Sequence, residues 1–255
     1  MNIHPNHIKS VSILIVFAIL FIASATTKKT AVTPLKVASY DYNPPSAASP
    51  KSSNIAFLLL RPLYAKSFQY SGSKVFSDFS KSMSADFNEL LTARGYSVRG
   101  PYDNYDAIVY SDKKESDLML EPEIDLSINT ANVVWETKHV YKYPQWYYVY
   151  TFKGYMTLSG KVNLVASESI SREKLWAKSI PLDQSEIQVS SERSYETPQD
   201  FVTAFNTDPG IVNPVITALE EFYESVMTTA WQQLDPNELS TMRKQVEEIR
   251  EKKKY

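Results

Sequence analysis

The hydrophobic period of this chain changes twice, and those changes constrain its fold more than any single motif. Between residues 73 and 94, apolar side chains recur at steps of three and four, which predicts an amphipathic helix. From Asp117 the step is two, which predicts strands, and from Val212 it is again three and four. The predicted class is α+β: a single domain whose mixed or antiparallel sheet carries C-terminal helices packed on one face.

The first elements of the domain predict a β-α-β unit. Residues 55–60 form a continuous apolar run closed by Arg61-Pro62, as expected for a buried central strand. The predicted helix is followed by Gly95, a residue typical of helix C-termini. Residues 96–99 then predict a second short strand.

The next segment is mostly polar, except for an apolar run at residues 107–110 that is short enough for one buried strand. Residues 117–128 then alternate, with apolar side chains on one face and acidic side chains on the other. Pro122 lies inside this predicted strand, and it indicates a sheet edge or a bulge because it cannot donate a backbone hydrogen bond.

Residues 145–167 and 174–191 also alternate and predict two or three further strands, with a hairpin turn near Gly160 or within residues 169–173. After a helical stripe that begins at Val212, Asp235 predicts the N-cap of a last amphipathic helix over residues 236–255. The narrow apolar seam of that helix either docks on the domain or binds a partner. The seam consists of Leu239, Met242, Val246 and Ile249.

The N-terminal residues 1–25 have the pattern of a secretory signal peptide. A weakly basic start precedes a short apolar run, and Ala23-Ser24-Ala25 has the small residues that signal peptidase recognises. The alternative is an uncleaved anchor that holds the domain on the periplasmic side of the inner membrane. Residues 26–53 are rich in Pro, Ser and Thr, which predicts a disordered tether because such a stretch buries little apolar surface.

Composition argues against several classes of function. The chain has 0 cysteines, so it has no thiol catalysis and no lipid-accepting cysteine. The formal net charge of −2 does not suggest a nucleic-acid partner, and the 6 glycines are too scattered for a phosphate-binding loop. His139 is the only histidine after residue 25. We therefore predict a non-enzymatic protein with no catalytic residue, no metal site and no cofactor.

Three carboxylates, of Glu121, Glu123 and Asp125, share one face of the predicted acidic strand, spaced roughly 7 Å apart. A calcium site and a glycosidase pair are two interpretations of this spacing. The favoured interpretation is the solvated face of an amphipathic strand, because hydrolases usually take their acid and base from different elements.

Aromatic side chains are densest between residues 135 and 155. Trp146, Tyr148 and Tyr150 alternate onto one strand face, and Tyr147 lies on the other. Aromatic residues on both faces exceed what one core needs, so they could stack on sugar rings or pack against a partner. The alternative is cross-strand packing within a hairpin. The candidate ligand-binding residues are Trp135, Trp146, Tyr147, Tyr148 and Tyr150.

An ordered set of short stretches resembles the neuraminyllactose-binding haemagglutinin family of bacterial surface adhesins. The set covers nearly the whole domain, which we place at residues 54–235. The matching stretches are residues 58–62, 68–71, 94–98, 111–115 and 123–126, and the helices from Ala218 onward.

The resemblance implies an α+β domain of the cell envelope, associated with adhesion and with sialylated glycans. Two features of the family are absent: the lipid-accepting cysteine and a short basic segment, since Lys138 and Lys142 are the only strongly basic residues between 129 and 143. We expect a binding protein of the periplasm, outer membrane or cell surface. The alternative is a structural or assembly component that docks to an envelope protein or to itself.

Overall fold

The computed structural model describes residues 33–46, 48, 52–191 and 206–254. The predicted signal peptide over residues 1–25 lies outside these residues. Residues Pro34–Tyr255 form one compact unit. Within the described residues, six strands make one mixed sheet in the order β3-β1-β4-β5-β6, with β2 paired to β4. The predicted α+β class is confirmed.

The early β-α-β unit is confirmed. Strand β1 (Ala56–Leu60) pairs in parallel with β3 (Ser97–Tyr102). The chain between them forms the short strand β2 (Leu63–Tyr64) and then helix α1 (Lys74–Ala93). The helix buries its apolar stripe, which includes Phe76, Phe79 and Phe87. It ends where Gly95 takes a positive φ of 86°. The amides of Gly95 and Tyr96 then donate to the carbonyls of Thr92 and Leu91, which satisfies the last turn.

Three long antiparallel strands form the rest of the sheet: β4 (Leu118–Lys142), β5 (Gln145–Glu168) and β6 (Lys174–Ser190). The turn between β5 and β6 falls at residues 169–173, which was one of the two predicted places. Gly160 lies within β5, at an irregularity in its pairing with β6. Strand β4 is about twice as long as the alternating pattern over residues 117–128 predicted.

Pro122 lies within β4 opposite Leu164 of β5. On the other side of β4, pairing with β1 ends at Leu120 and pairing with β2 begins at Glu123. Pro122 therefore lies where that edge of β4 has a gap between two partner strands, so its missing N–H breaks no ladder.

The strand predicted at residues 107–110 is wrong. A 3₁₀ turn (Tyr105–Ala107) precedes helix α2 (Tyr110–Glu115) in this region. Of the four residues only Ile108 is buried, and it packs with Leu58 and Met119 on the opposite face of the sheet from the helices. A run of four apolar residues is too short to show a period, so the sequence cannot distinguish a strand from a turn there.

Two C-terminal helices cover one face of the sheet together with α1. Helix α3 (Pro209–Gln233) buries Val215, Leu219 and Val226, and helix α4 (Pro236–Lys253) follows it. The Asp235 side chain accepts a hydrogen bond from the Asn237 amide, so the predicted N-cap of α4 is confirmed. Among the described residues, no helix is both long and apolar enough to cross a membrane.

The seam of α4 packs on its own domain. Leu239 and Val246 are fully buried in the main core, and Met242 packs against that core while half-buried. Ile249 is also half-buried. The sequence left open whether the seam docks on its own domain or binds a partner. In the structure it docks on its own domain, so it is not an open surface for a partner helix. The physical reason is that β6 offers α4 an apolar face in the same chain.

Residues 34–46 form an extended strap over α1 and α3. Tyr40 packs against Phe79 and Tyr223, with ring centroids 5.3 and 5.4 Å away. The Ser39 amide donates to the Glu220 carboxylate at 3.0 Å. We expected a disordered tether over residues 26–53; this described part of it is instead placed by contacts with helices far along the chain.

Candidate functional site

The β4–β5 hairpin continues past the end of β6. The pairing of β5 with β6 reaches Lys153 opposite Ser190, whereas β4 and β5 stay paired as far as Lys142 opposite Gln145. We call the projecting part, residues 134–151, the aromatic arm. Among the described residues, only β4 and β5 build it.

Strand register collects the predicted aromatic residues onto one face of the arm. Residues directly opposite each other on paired strands share a face. His139 lies opposite Tyr148, and Tyr141 lies opposite Trp146. Tyr147 lies opposite Val140 on the other face. The first face also contains Trp135, Thr137 and Tyr150.

Exposure rises along the arm from base to tip. At the base, Trp135 packs edge-on against Phe152, which is 1% exposed. Towards the tip, Tyr148 is 57% exposed and Trp146 is 68% exposed. Tyr143, in the turn, is 89% exposed. The candidate residues therefore divide: Trp135 and Tyr150 support the arm, and Trp146, Tyr147 and Tyr148 face solvent.

Neighbouring rings hold one another in place at the tip. The rings of His139 and Tyr148 lie edge to face with centroids 4.3 Å apart. Those of Tyr141 and Trp146 are tilted by 54° with centroids 5.2 Å apart. Such pairs stabilise by roughly 0.5–1.5 kcal/mol beyond their buried area. Cross-strand packing and an exposed aromatic surface, which the sequence posed as alternatives, occur together.

The opposite face of the arm carries charge. Lys138 lies opposite Val149, and Lys142 lies opposite Gln145. The Lys142 ammonium is 5.9 Å from the ring centroid of Tyr147. Glu136 lies on this face too and pairs with Lys153. The two faces therefore differ in chemistry: one is uncharged and aromatic, and the other combines Tyr147 with charged side chains.

Each of the three carboxylates on the acidic strand contacts a different partner. Glu121 pairs with Arg172 at 3.2 Å, and Asp125 lies 3.9 Å from the Lys161 ammonium. Glu123 accepts a hydrogen bond from the Asn163 amide at 3.4 Å. Within the described part of the chain, no group of three or more His, Cys, Asp or Glu side chains is placed to hold a metal ion. The arrangement is that of a solvated strand face with ion pairs.

Sequence reasoning missed a buried ionic cluster at the turn between β5 and β6. Glu168 is fully buried, and its carboxylate accepts hydrogen bonds from Arg250 at 2.9 Å and from the Ser171 amide at 2.6 Å. Burial opposes ionisation of Glu168, but these donors outweigh it and hold its pKa below the usual value. The two side chains are 82 positions apart, so no local pattern indicated the pair.

A second missed cluster joins the strap to the helices. Asp86 is buried on α1, and it accepts hydrogen bonds from the Tyr223 hydroxyl at 2.6 Å and from the Tyr42 amide at 2.8 Å. Burial raises the pKa of the Asp86 carboxyl in spite of both bonds. Burial, with the neighbouring Asp86, also raises the pKa of Tyr223. A single acid within an apolar helical stripe was the only sequence signal.

An open groove of about 930 Å³ lies along the outer side of α1. Ser80, Ser84 and Asn88 line it at steps of four residues, between Pro44 of the strap and Pro101. The Ser84 hydroxyl is buried and has no hydrogen-bond partner among the described residues. Sequence reasoning did not find this groove, because small polar residues on a helix normally indicate a solvated face.

The fold has relatives among solved structures. A crystal structure described as a putative neuraminyllactose-binding hemagglutinin homolog from Helicobacter pylori matches with a TM-score of 0.57 and 18% sequence identity, over 84% of this chain and 100% of that chain. At this identity the likeness shows the fold alone. The resemblance inferred from sequence is thus confirmed as a relationship of fold.

Two further structures match more weakly. A protein from Xanthomonas campestris has a TM-score of 0.33 and 10% identity, over 83% of this chain and 97% of that chain. A lipoprotein from Neisseria meningitidis has a TM-score of 0.24 and 14% identity, over 66% of this chain and 99% of that chain. No family model and no curated protein sequence matches the chain.

Proposed function

We propose that this chain is a non-enzymatic binding protein of the bacterial cell envelope, and that the tip of its aromatic arm holds a glycan. The observation that carries the proposal is the exposure of Tyr141, Tyr143, Trp146 and Tyr148 on a hairpin that projects beyond the sheet. A contiguous exposed patch of apolar and aromatic side chains usually marks an interaction site.

The chemistry of the aromatic face favours sugars. A pyranose ring presents C–H groups on one face, and these stack on the electron-rich face of an aromatic ring. Because Tyr141 and Trp146 are already packed against each other, binding would cost little side-chain entropy. The relative of known fold from Helicobacter pylori is described as a homolog of a neuraminyllactose-binding protein, which supports a sugar as the ligand class.

The two faces of the arm predict different sugar preferences. The face with Trp146 is uncharged, so it suits neutral rings. A sialylated glycan carries a carboxylate, and the cations Lys138 and Lys142 lie on the face with Tyr147 instead. We therefore propose that Trp146 mainly contacts neutral sugar residues. An acidic sugar would bind only if its carboxylate also contacts Lys138 or Lys142 on the other face.

A glycan array with the full chain in mild detergent tests the proposal. The expected result is a set of sugar-dependent signals that fall when Trp146 is replaced by Ala. Lactose and sialyllactose titrations of the Lys138→Ala variant then separate neutral from acidic recognition. No sugar-dependent signal at high protein density would count against glycan binding.

Assembly with another envelope protein is the second candidate function. It is favoured by the same exposed tip, because aromatic side chains also dominate the centres of protein interfaces. The α4 seam no longer supports this candidate, since Leu239 and Val246 are buried in their own domain. Affinity capture from detergent-solubilised envelopes tests it: a stoichiometric protein partner that is lost with Trp146→Ala would favour assembly over glycan binding.

We also propose that the chain is exported through its N-terminal segment. The pattern over residues 1–25 supports a signal peptide, and the absence of cysteine argues against a lipid anchor. Intact mass of the protein from its native envelope is the test. A mature chain that starts at Thr26 would indicate a free protein of the periplasm, outer membrane or surface, whereas a start at Met1 would indicate an inner-membrane tether.

A further inference from the structure

Among the described residues, one edge of β4 is unpaired along the whole aromatic arm. On that side β4 pairs with β1 over residues 118–120 and with β2 at Glu123 and Ile124. From Asp125 to Lys142, no strand among the described residues pairs with this edge, while the other edge is paired with β5. Unpaired N–H and C=O groups in a row form a template for another strand, and proteins usually block such edges.

We propose that the open edge of the arm pairs with the same edge of a second copy of this chain. The two β4 strands would run antiparallel about a two-fold axis through Thr137, joining two arms into one four-stranded sheet. This inference goes beyond the proposed ligand binding and does not depend on it.

Charge complementarity sets the register. With the axis at Thr137, Glu136 lies opposite Lys138 of the second copy, and Lys138 lies opposite Glu136 of the second copy. Within one chain, Lys138 faces the uncharged Val149 across β5, and its nearest acid, Glu136, already pairs with Lys153 of β5. An axis at residue 136 or 138 would place like charges directly opposite each other, which destabilises strand pairing.

The apolar side chains agree with the same register. Val134 would lie opposite Val140 of the second copy on the charged face, and both are apolar and β-branched. On the aromatic face, Trp135 would lie opposite His139, and Val133 opposite Tyr141. Residues opposite in an antiparallel pair share a face, so the two aromatic faces would become one continuous surface.

The length of the arm also fits this arrangement. The regular β4–β5 ladder is interrupted between Asn129 and Asn132, where β4 has a bulge. About the axis at Thr137, the turn residue Tyr143 of one copy would reach Ala131 of the other. Each tip would therefore end at the partner's bulge, where the regular ladder is interrupted.

Disulfide trapping tests the axis directly, because the natural chain has 0 cysteines. Two copies of Thr137→Cys would place their Cβ atoms about 4.5–5.5 Å apart, close enough to link under mild oxidation. Ser127→Cys is the matched control: it is exposed on the same strand, but its two copies would be roughly 66 Å apart. The full chain in detergent should form linked dimers several-fold faster with Thr137→Cys than with Ser127→Cys. Equal rates would overturn the proposal.

Charge reversal tests the register. Glu136→Lys alone and Lys138→Glu alone should each weaken self-association about tenfold, as expected when two opposed pairs become two repelling pairs. Mixing these two variants should restore association, because each charge then meets its opposite. Thermal melting of each variant alone shows whether it is folded. The proposal would be overturned if the natural chain is a monomer, or if neither charge reversal changes the dimerisation constant. Efficient disulfide linkage through Ser127→Cys would also overturn it.

Discussion

The Arg250 guanidinium donates a hydrogen bond at 2.9 Å to the carboxylate of Glu168, whose side chain has no exposed surface. The same guanidinium donates to the Ser116 carbonyl at 2.6 Å and to the Ser169 hydroxyl at 2.8 Å. One side chain near the end of α4 thus joins the β5–β6 turn to the segment before β4. We infer that this cluster, rather than the apolar seam alone, fixes the position of the last helix.

Arg250→Met is expected to lower the free energy of unfolding by about 3–5 kcal/mol, because it leaves the Glu168 charge buried without its cation. Urea denaturation followed by circular dichroism measures the loss. Lys244→Met is the matched control on the same helix, since its pair with Glu248 is exposed and should contribute about 0.5 kcal/mol or less. Equal losses in the two variants would contradict a special role for Arg250.

Acid should weaken the fold through Glu168. Because its pKa is lowered in the folded state, its contribution is fully present above the unfolded pKa near 4.5 and is lost as pH falls through the lower folded pKa. When pH is lowered from 6 towards acid unfolding, the free energy of unfolding of Glu168→Gln should therefore fall less than that of the natural chain.

Asp86→Asn serves as a control of opposite sign in the same titration. The folded pKa of Asp86 is raised, so the folded state binds the proton more tightly than the unfolded state, and acidification towards 3.8 favours folding through this group. The variant should lose more stability on acidification than the natural chain. The same direction in both variants would contradict the assigned shifts.

Asp86→Ala should release the strap. It removes the acceptor of the Tyr223 hydroxyl and of the Tyr42 amide, and leaving buried donors unsatisfied costs about 1–3 kcal/mol. Hydrogen exchange of residues 34–46 should accelerate before global unfolding. Asp41→Ala, at an exposed neighbour on the strap itself, should leave exchange unchanged.

Gly154→Ala should disturb the base of the arm. Gly154 has a φ of +146°, and a Cβ there would lie 2.0 Å from the Asn132 carbonyl oxygen, so the two strands would have to separate. We expect a cost of at least 1–3 kcal/mol from the backbone conformation alone, with faster exchange in residues 134–151. Gly72→Ala is the control, because a Cβ at that glycine meets nothing within 4 Å.

Trp146→Ala should weaken glycan binding and lower the free energy of unfolding only by the roughly 0.5–1.5 kcal/mol of its packing on Tyr141. The ring is 68% exposed, so its removal creates no cavity. Loss of one stacked ring should reduce affinity by roughly tenfold, measured by calorimetric titration against the best sugar of the array. Tyr155→Ala removes an exposed ring from the opposite face of β5 and should leave affinity unchanged. A similar loss in both variants would argue against a site at the tip.

The sequence predicted the elements whose side chains alternate between core and solvent. Helix α1 and the first half of β4 were located because Phe79 and Phe87 on the helix, and Leu120 and Ile124 on the strand, keep the period of their element. The pattern failed where that constraint is absent. Residues 107–110 carry apolar side chains, yet Val109 and Tyr110 are exposed, because only Ile108 reaches the small cluster on the far face of the sheet.

The aromatic arm was predicted in part. Alternation along one strand placed Trp146 and Tyr148 on a common face, but their cross-strand partners Tyr141 and His139 follow only from the β4–β5 register. Periodicity did not predict the second half of β4. The arm does not pack on the core, so its side chains do not have to alternate between apolar and polar.

Local pattern by itself determined the class of fold, the order of its helices and most strands, and the density of aromatic side chains in one hairpin. Tertiary structure alone decided three further features: the ordering of the strap by Asp86, the burial of Glu168 against Arg250, and the open edge of the arm. The reason is the same for each. Hydrophobic periodicity acts between near neighbours in the chain, whereas these features depend on groups that meet only when distant segments pack together.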